Sequence, residues 1–153
     1  FMNAFIDIIP QCNTAVHGDM HIGNLISTLP KGAPMSREHI VNFIDLGLFS
    51  CGCPLLDIGM MQIVCLFSDE QFRRESFHLT GEQTRNVWDI FVDEYFFSQD
   101  RAAEKWFGPG ATPQAVFDGI LPYACLKMFL VEHNAGALFP NFEQLIRQTF
   151  RLL

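Results

Sequence analysis

Apolar positions follow two regimes along this chain. Up to about residue 50 they come in short β-favouring runs, Ala15-Val16, Leu25-Ile26-Ser27-Thr28 and His39-Ile40-Val41-Asn42-Phe43-Ile44, separated by segments rich in Gly and Pro. From Pro54 onward they recur at helical spacing, with Met60, Met61, Leu66 and Phe67 in one segment and Val87, Trp88, Phe91, Tyr95 and Phe96 in the next. These stripes read as core rather than as a cofactor box. The pattern predicts an α+β chain, a small β region followed by helices over 54–68, 82–97, 101–107, 113–133 and 141–152. Thr80 with Gln83 makes a capping box, and Thr112 before Pro113 is an N-cap followed by Pro at the first helical position. Pro122 should kink or divide the fourth helix. Residues 28–38, with Pro30, Lys31-Gly32 and Pro34, read as a long hairpin tip between two strands.

The residues that carry chemistry sit at the ends of those strands. Val16-His17-Gly18-Asp19-Met20-His21-Ile22-Gly23-Asn24 contains H-x-D-x-x-x-x-N, in which the Asp orients or deprotonates an acceptor hydroxyl and the Asn holds Mg²⁺. Phe43-Ile44-Asp45-Leu46-Gly47 supplies D-x-G, whose Asp chelates the metal that bridges nucleotide phosphates. With ordinary residue frequencies, the two in this order and at this separation arise by accident in roughly one such chain in a couple of thousand. Each half alone is a weak signal, and the pair is a strong one.

The chain resembles the phosphotransferase family that includes aminoglycoside phosphotransferases and choline kinases. The resemblance lies in H-G-D-x-H-x-x-N at His17 to Asn24, in I-D-x-G at Ile44 to Gly47, and in the Gly52-Cys53-Pro54-Leu55-Leu56-Asp57-Ile58-Gly59 that follows. Protein kinases usually carry Arg where this chain has Gly18, and small-molecule kinases commonly carry a second His like His21. The resemblance therefore implies a protein-kinase-like fold acting on a small molecule. It implies a Mg²⁺-dependent transfer of the γ-phosphoryl group of ATP or GTP to a hydroxyl of an aminoglycoside, amino alcohol or sugar. On it, Asp19 is the catalytic base, Asn24 and Asp45 are the metal and nucleotide ligands, and His17 braces the loop. Asp57 holds the catalytic-loop backbone by accepting its amide hydrogens, and His21 supports the same loop. Asp57 also suits a first helical turn, where the helix dipole favours a carboxylate.

Kinases of this fold need an N-terminal lobe with a nucleotide-covering loop and a strand Lys paired to a helix Glu. Sixteen residues precede His17, there is no G-x-G-x-x-G, and the chain opens on Phe1. Residues 1–153 accordingly read as the C-terminal, catalytic and acceptor-binding lobe of a longer protein, inactive by itself. Apolar residues make up 49 % of the chain, with sixteen Phe, so some apolar surface should face the missing lobe and leave the isolated piece sticky or dimeric.

The net charge of −7 disfavours nucleic acid and anionic membranes as partners and suits a neutral or cationic acceptor, although ordinary acidic proteins share it. The longest apolar stretches contain Asp57 or Lys127, so neither reads as a membrane span. Five cysteines, Cys12, Cys51, Cys53, Cys65 and Cys125, form no C-x-x-C pair and suit a reducing, cytoplasmic setting. Asp89, Asp93, Glu94 and Glu132 are acidic candidates for gripping an amine, and Trp88, Tyr95 and Trp106 for stacking, but a solvated helix face and core packing account for them equally. His39, His78 and His133 stand alone. Two rival readings remain: a non-catalytic kinase-like binding protein, and a hydrolase in which His17, Asp19 and His21 ligate a transition metal.

Overall fold

The computed structural model describes residues 13–28, 41–98 and 102–135, with side chains through 129. The tip of the 28–38 hairpin, the helix expected at 141–152, Cys12, His39, and the side chains of Glu132 and His133 lie outside the described residues.

Four three-residue strands pair in a nested order. The first, β1 (Thr14–Val16), runs antiparallel to the last, β4 (Ser50–Gly52), with Thr14 opposite Gly52 and Val16 opposite Ser50. Inside that pair, β2 (Leu25–Ser27) runs antiparallel to β3 (Val41–Phe43), with Leu25 opposite Phe43. The Ile44 N–H donates to the Asn24 carbonyl at 3.0 Å, which extends the inner ladder by one bond. Strands this short hold little by themselves. What the nesting accomplishes is placement, because it sets the β1–β2 connection beside the β3–β4 connection, and these are the two motif-bearing loops.

Helices make up most of the other described residues. Pro54, with no amide hydrogen to leave unpaired, starts α1 (Pro54–Gln62), which continues through a wide π turn at Ile63–Phe67. Next comes α2 (Glu70–Phe77), which the apolar periodicity does not reveal because only Phe72 and Phe77 in it are hydrophobic. Local polar bonds hold it instead. The Asp69 carboxylate accepts from the Gln71 and Phe72 amides, Glu70 pairs with Arg73 and Arg74, and His78 ends the helix in the left-handed region at φ 57°. The capping box of Thr80 and Gln83 opens α3 (Gly81–Val92), which also ends in a π turn, Asp93–Phe97. After α4 (Ala102–Phe107), Thr112 accepts the Ala115 amide at 3.2 Å and starts α5 (Pro113–Ala135).

Pro122 does not divide α5, which runs through it as one helix. The carbonyl that loses its donor belongs to Asp118, which is exposed, so solvent can take that bond. The antiparallel packing of α1 on α5 restrains this segment further. A Cβ on Gly59 would lie 2.7 Å from the Ala124 nitrogen, so the two backbones touch where glycine alone fits.

The core gathers Leu55, Ile58, Met61, Trp88, Phe96 and Ile120 into one cluster and Met60, Ile63, Val64, Leu121, Cys125 and Met128 into another. Ile22, from the first motif loop, packs on both and ties that loop to the helical body. Tyr95 departs from the expected core stripe, being 43 % exposed and stacked on Phe91 at 5.5 Å, while Phe96 is fully buried. The π turn lengthens the hydrogen-bonded ring by a residue and shifts the register, which turns Phe96 inward in place of its neighbour.

Cys53, Cys65 and Cys125 are buried and Cys51 is exposed, and none of the four is in a disulfide. Burial pushes the Cys65 thiol up to about 12, so it stays protonated and unreactive at neutral pH. A thiol reagent should label Cys51 within minutes in the native protein and reach Cys65 and Cys125 only after unfolding. Rapid native labelling of Cys65, located by peptide mapping, would contradict this packing. Among the described residues no helix is long and apolar enough to cross a membrane.

Candidate active site

The loop His17-Gly18-Asp19 is held from beneath by α1. Asp57, buried in its first turn, accepts the His17 amide on Oδ2 at 2.6 Å and the Gly18 amide on Oδ1 at 2.9 Å. A buried donor on His17 and a part-buried one on Gly18, which no strand or helix pairs, thus meet a carboxylate, which binds such donors more strongly than a neutral acceptor does. Gly18 sits at φ +86°, and a Cβ there would lie 2.4 Å from the Leu48 carbonyl oxygen. Only glycine allows the first motif loop to turn against the turn at Leu46–Leu48 in this way.

The two histidines of the motif have different duties. His17 is buried, and its Nε2 donates to the Ile44 carbonyl at 2.8 Å while its Nδ1 accepts the Asp19 amide at 3.4 Å. That pair of bonds defines the neutral Nε2–H tautomer and fastens the first motif to the second. His21 accepts the Gly23 amide on Nδ1 at 3.1 Å, which leaves its Nε2–H facing Asp19 Oδ2 at 3.6 Å. Burial holds the His21 pKa below the usual histidine range, and the Asp19 carboxylate, with Asp45 behind it, only partly offsets that effect. His21 is uncharged at neutral pH.

Asn24 closes the 3₁₀ turn Ile22–Asn24 and is buried. Its Nδ2 donates to the Asp19 carbonyl at 2.9 Å, so Oδ1 is the atom it can offer to a cation. Asp45 occupies the left-handed region at φ 58° and ψ 58°, a conformation that Asp tolerates better than most residues. Its carboxylate makes no capping bond to the turn that follows and remains available for a ligand.

All six residues expected at the site, His17, Asp19, His21, Asn24, Asp45 and Asp57, are therefore in one locality. The transition-metal arrangement of His17, Asp19 and His21 is not formed. Residues 17–21 make a loop rather than an extended strand, and both ring nitrogens of His17 are engaged by backbone. Among the described residues no group of three or more His, Cys, Asp or Glu side chains is placed to hold a metal. An amide oxygen and a carboxylate, Asn24 and Asp45, are the pair with hard oxygen donors to give.

Two of the acidic helix candidates, Asp89 and Asp93, lie in a different place. Asp89 and Asp93 line a cavity of about 350 Å³ with Trp88, Phe97 and Phe117, between α3 and the N-terminal end of α5. The first motif loop lies against α5 near Lys127, about ten residues or 15 Å further along. Trp106 packs partly buried on the core. One contact has no signal in the local sequence: Lys127 Nζ donates to the Gly18 carbonyl at 2.6 Å across 109 positions. No family model, curated protein or solved structure matches this chain.

Proposed function

We propose that this chain is the C-terminal lobe of a small-molecule phosphotransferase of protein-kinase-like fold, which moves the γ-phosphoryl group of ATP or GTP to an acceptor hydroxyl. The observation that carries the reading is the stitching of H-x-D-x-x-x-x-N to D-x-G. His17 Nε2 to the Ile44 carbonyl and the Ile44 amide to the Asn24 carbonyl join the motifs, and Asn24 and Asp45 flank the join. Motif matches that arose by accident would have no reason to be held together by a motif histidine and a direct backbone bond.

In this reading Asn24 Oδ1 and the Asp45 carboxylate would hold Mg²⁺, a donor set of hard oxygens that suits it. When bound, the metal neutralises charge on the nucleotide phosphates. Asp19 accepts a hydrogen bond from the acceptor hydroxyl and takes its proton as the oxygen attacks. The neutral His21 Nε2–H faces Asp19 Oδ2 and limits its rotation without neutralising it. Exposed apolar side chains on and after β3, Val41, Phe43, Ile44, Leu46, Leu48 and Phe49, form a surface of the kind that a nucleotide-binding lobe would cover.

The direct test is thermal stability of the longer protein with Mg²⁺-ATP, Mg²⁺-GTP and Mg²⁺ alone, beside the same protein carrying Asp45→Ala. A nucleotide at about a hundred times its dissociation constant should stabilise the parent by about 2.7 kcal/mol, and that gain should vanish in the variant. No gain with either nucleotide in the parent would overturn the assignment and leave a binding protein on this scaffold.

A further inference from the structure

Three successive backbone amides of the first motif loop, those of His17, Gly18 and Asp19, have partners whose strength can be judged, and the Gly18 carbonyl depends on a distant residue. Asp57 holds the amides of His17 and Gly18 with charge-assisted bonds of 2.6 and 2.9 Å. The next peptide unit joins Gly18 to Asp19 and sets the direction in which the Asp19 side chain leaves the backbone. Its N–H rests on His17 Nδ1 at 3.4 Å, near the outer limit of a hydrogen bond. Its carbonyl receives the Lys127 ammonium at 2.6 Å, the short bond of the two.

This peptide unit is also the one most able to turn. It follows a glycine, so rotation about the Gly18 Cα–C bond meets no Cβ, and alternative orientations cost little. Lys127 is placed to prevent that rotation. It projects from α5 between the buried Leu126 and Met128, so the helix carrying it is fixed by the core and its reach is defined. A lysine on an otherwise apolar stretch of core helix gives up hydration, and a bond to a backbone carbonyl recovers only part of that loss.

We infer that Lys127 is a positioning residue for the candidate base: by pinning the Gly18 carbonyl it fixes the Gly18–Asp19 peptide plane and with it the direction of the Asp19 carboxylate. Lys127 touches none of the reacting atoms and acts through the backbone. The catalytic consequence rests on the phosphotransferase reading, whereas the effect on the loop does not.

The experiment compares Lys127→Met, which keeps length and packing but removes the donor, with Lys127→Arg, which restores one. Backbone hydrogen exchange resolved by peptide should quicken about tenfold in the segment 17–24 of the Met variant, with α3 unchanged and the Arg variant returning toward the parent. In the longer protein, nucleotide turnover should fall about 10- to 100-fold in the Met variant at unchanged KM for Mg²⁺-ATP, the pattern of a group that matters in the transition state rather than in binding. Exchange in 17–24 that is unaltered, or that quickens equally throughout α1, α3 and α5, overturns the inference. Absence of turnover in the parent would count against the phosphotransferase reading alone, because the exchange result still decides whether Lys127 holds the loop.

Discussion

Asp19→Asn in the longer protein is expected to lower turnover by about 10²- to 10⁴-fold, with Mg²⁺-nucleotide binding and the folded structure intact. The substitution is close to isosteric and removes the capacity to take a proton at neutral pH. The Asp19 side chain is a third exposed, and its contact with His21 at 3.6 Å is too long to contribute a strong bond. Stability should therefore change little, which separates a chemical loss from a folding one. Initial rates with a hydroxyl acceptor found by screening aminoglycosides, amino alcohols and sugars, together with a thermal melt, test both halves. Turnover within threefold of the parent would mean that Asp19 is not the base.

Asp57→Ala is expected to cost about 3 kcal/mol of stability, since it strips the buried His17 amide and the part-buried Gly18 amide of a charged acceptor. For a chain of this size that corresponds to a fall of about 6–12 °C in Tm. Asp57→Asn should fall between parent and Ala variant, because one amide oxygen can replace one carboxylate oxygen while the NH₂ group faces a donor. Denaturant melts of the three proteins measure the series. Equal stability of parent and Ala variant would show that the bonds from the His17 and Gly18 amides contribute nothing, and the account of the loop given above would fail. The loss in Asp57→Ala does not depend on what the site does, so it tests the architecture separately from the chemistry tested by Asp19→Asn.

Two helix starts were legible from local chemistry. Thr80 with Gln83, and Thr112 with Pro113, act within one turn of backbone, and both form as their residue types require. Regions where the pattern is carried by something other than apolar spacing were not legible. In α2 an Asp69 cap and the Glu70 ion pairs replace an apolar stripe, so a reading based on periodicity passes over it. Pro122 weakens a helix by rule, yet contacts along α1 and a solvent-facing Asp118 let α5 continue.

By itself the sequence determined the small β region, the capped helices and the identity of six chemically apt residues, because motif spacing and caps are encoded over a few neighbouring positions. It could also indicate that Asp57 would serve the loop, through a resemblance extending from His17 to Gly59. Only the tertiary structure decided that His17 spends both ring nitrogens on backbone, that Asp89 and Asp93 line a cavity away from Asp19, and that Lys127 reaches Gly18. The first depends on the nested strands that set the two motif loops side by side, and the other two on how α1, α3 and α5 pack, which is set by many weak contacts summed over the whole core rather than by any short run of residues.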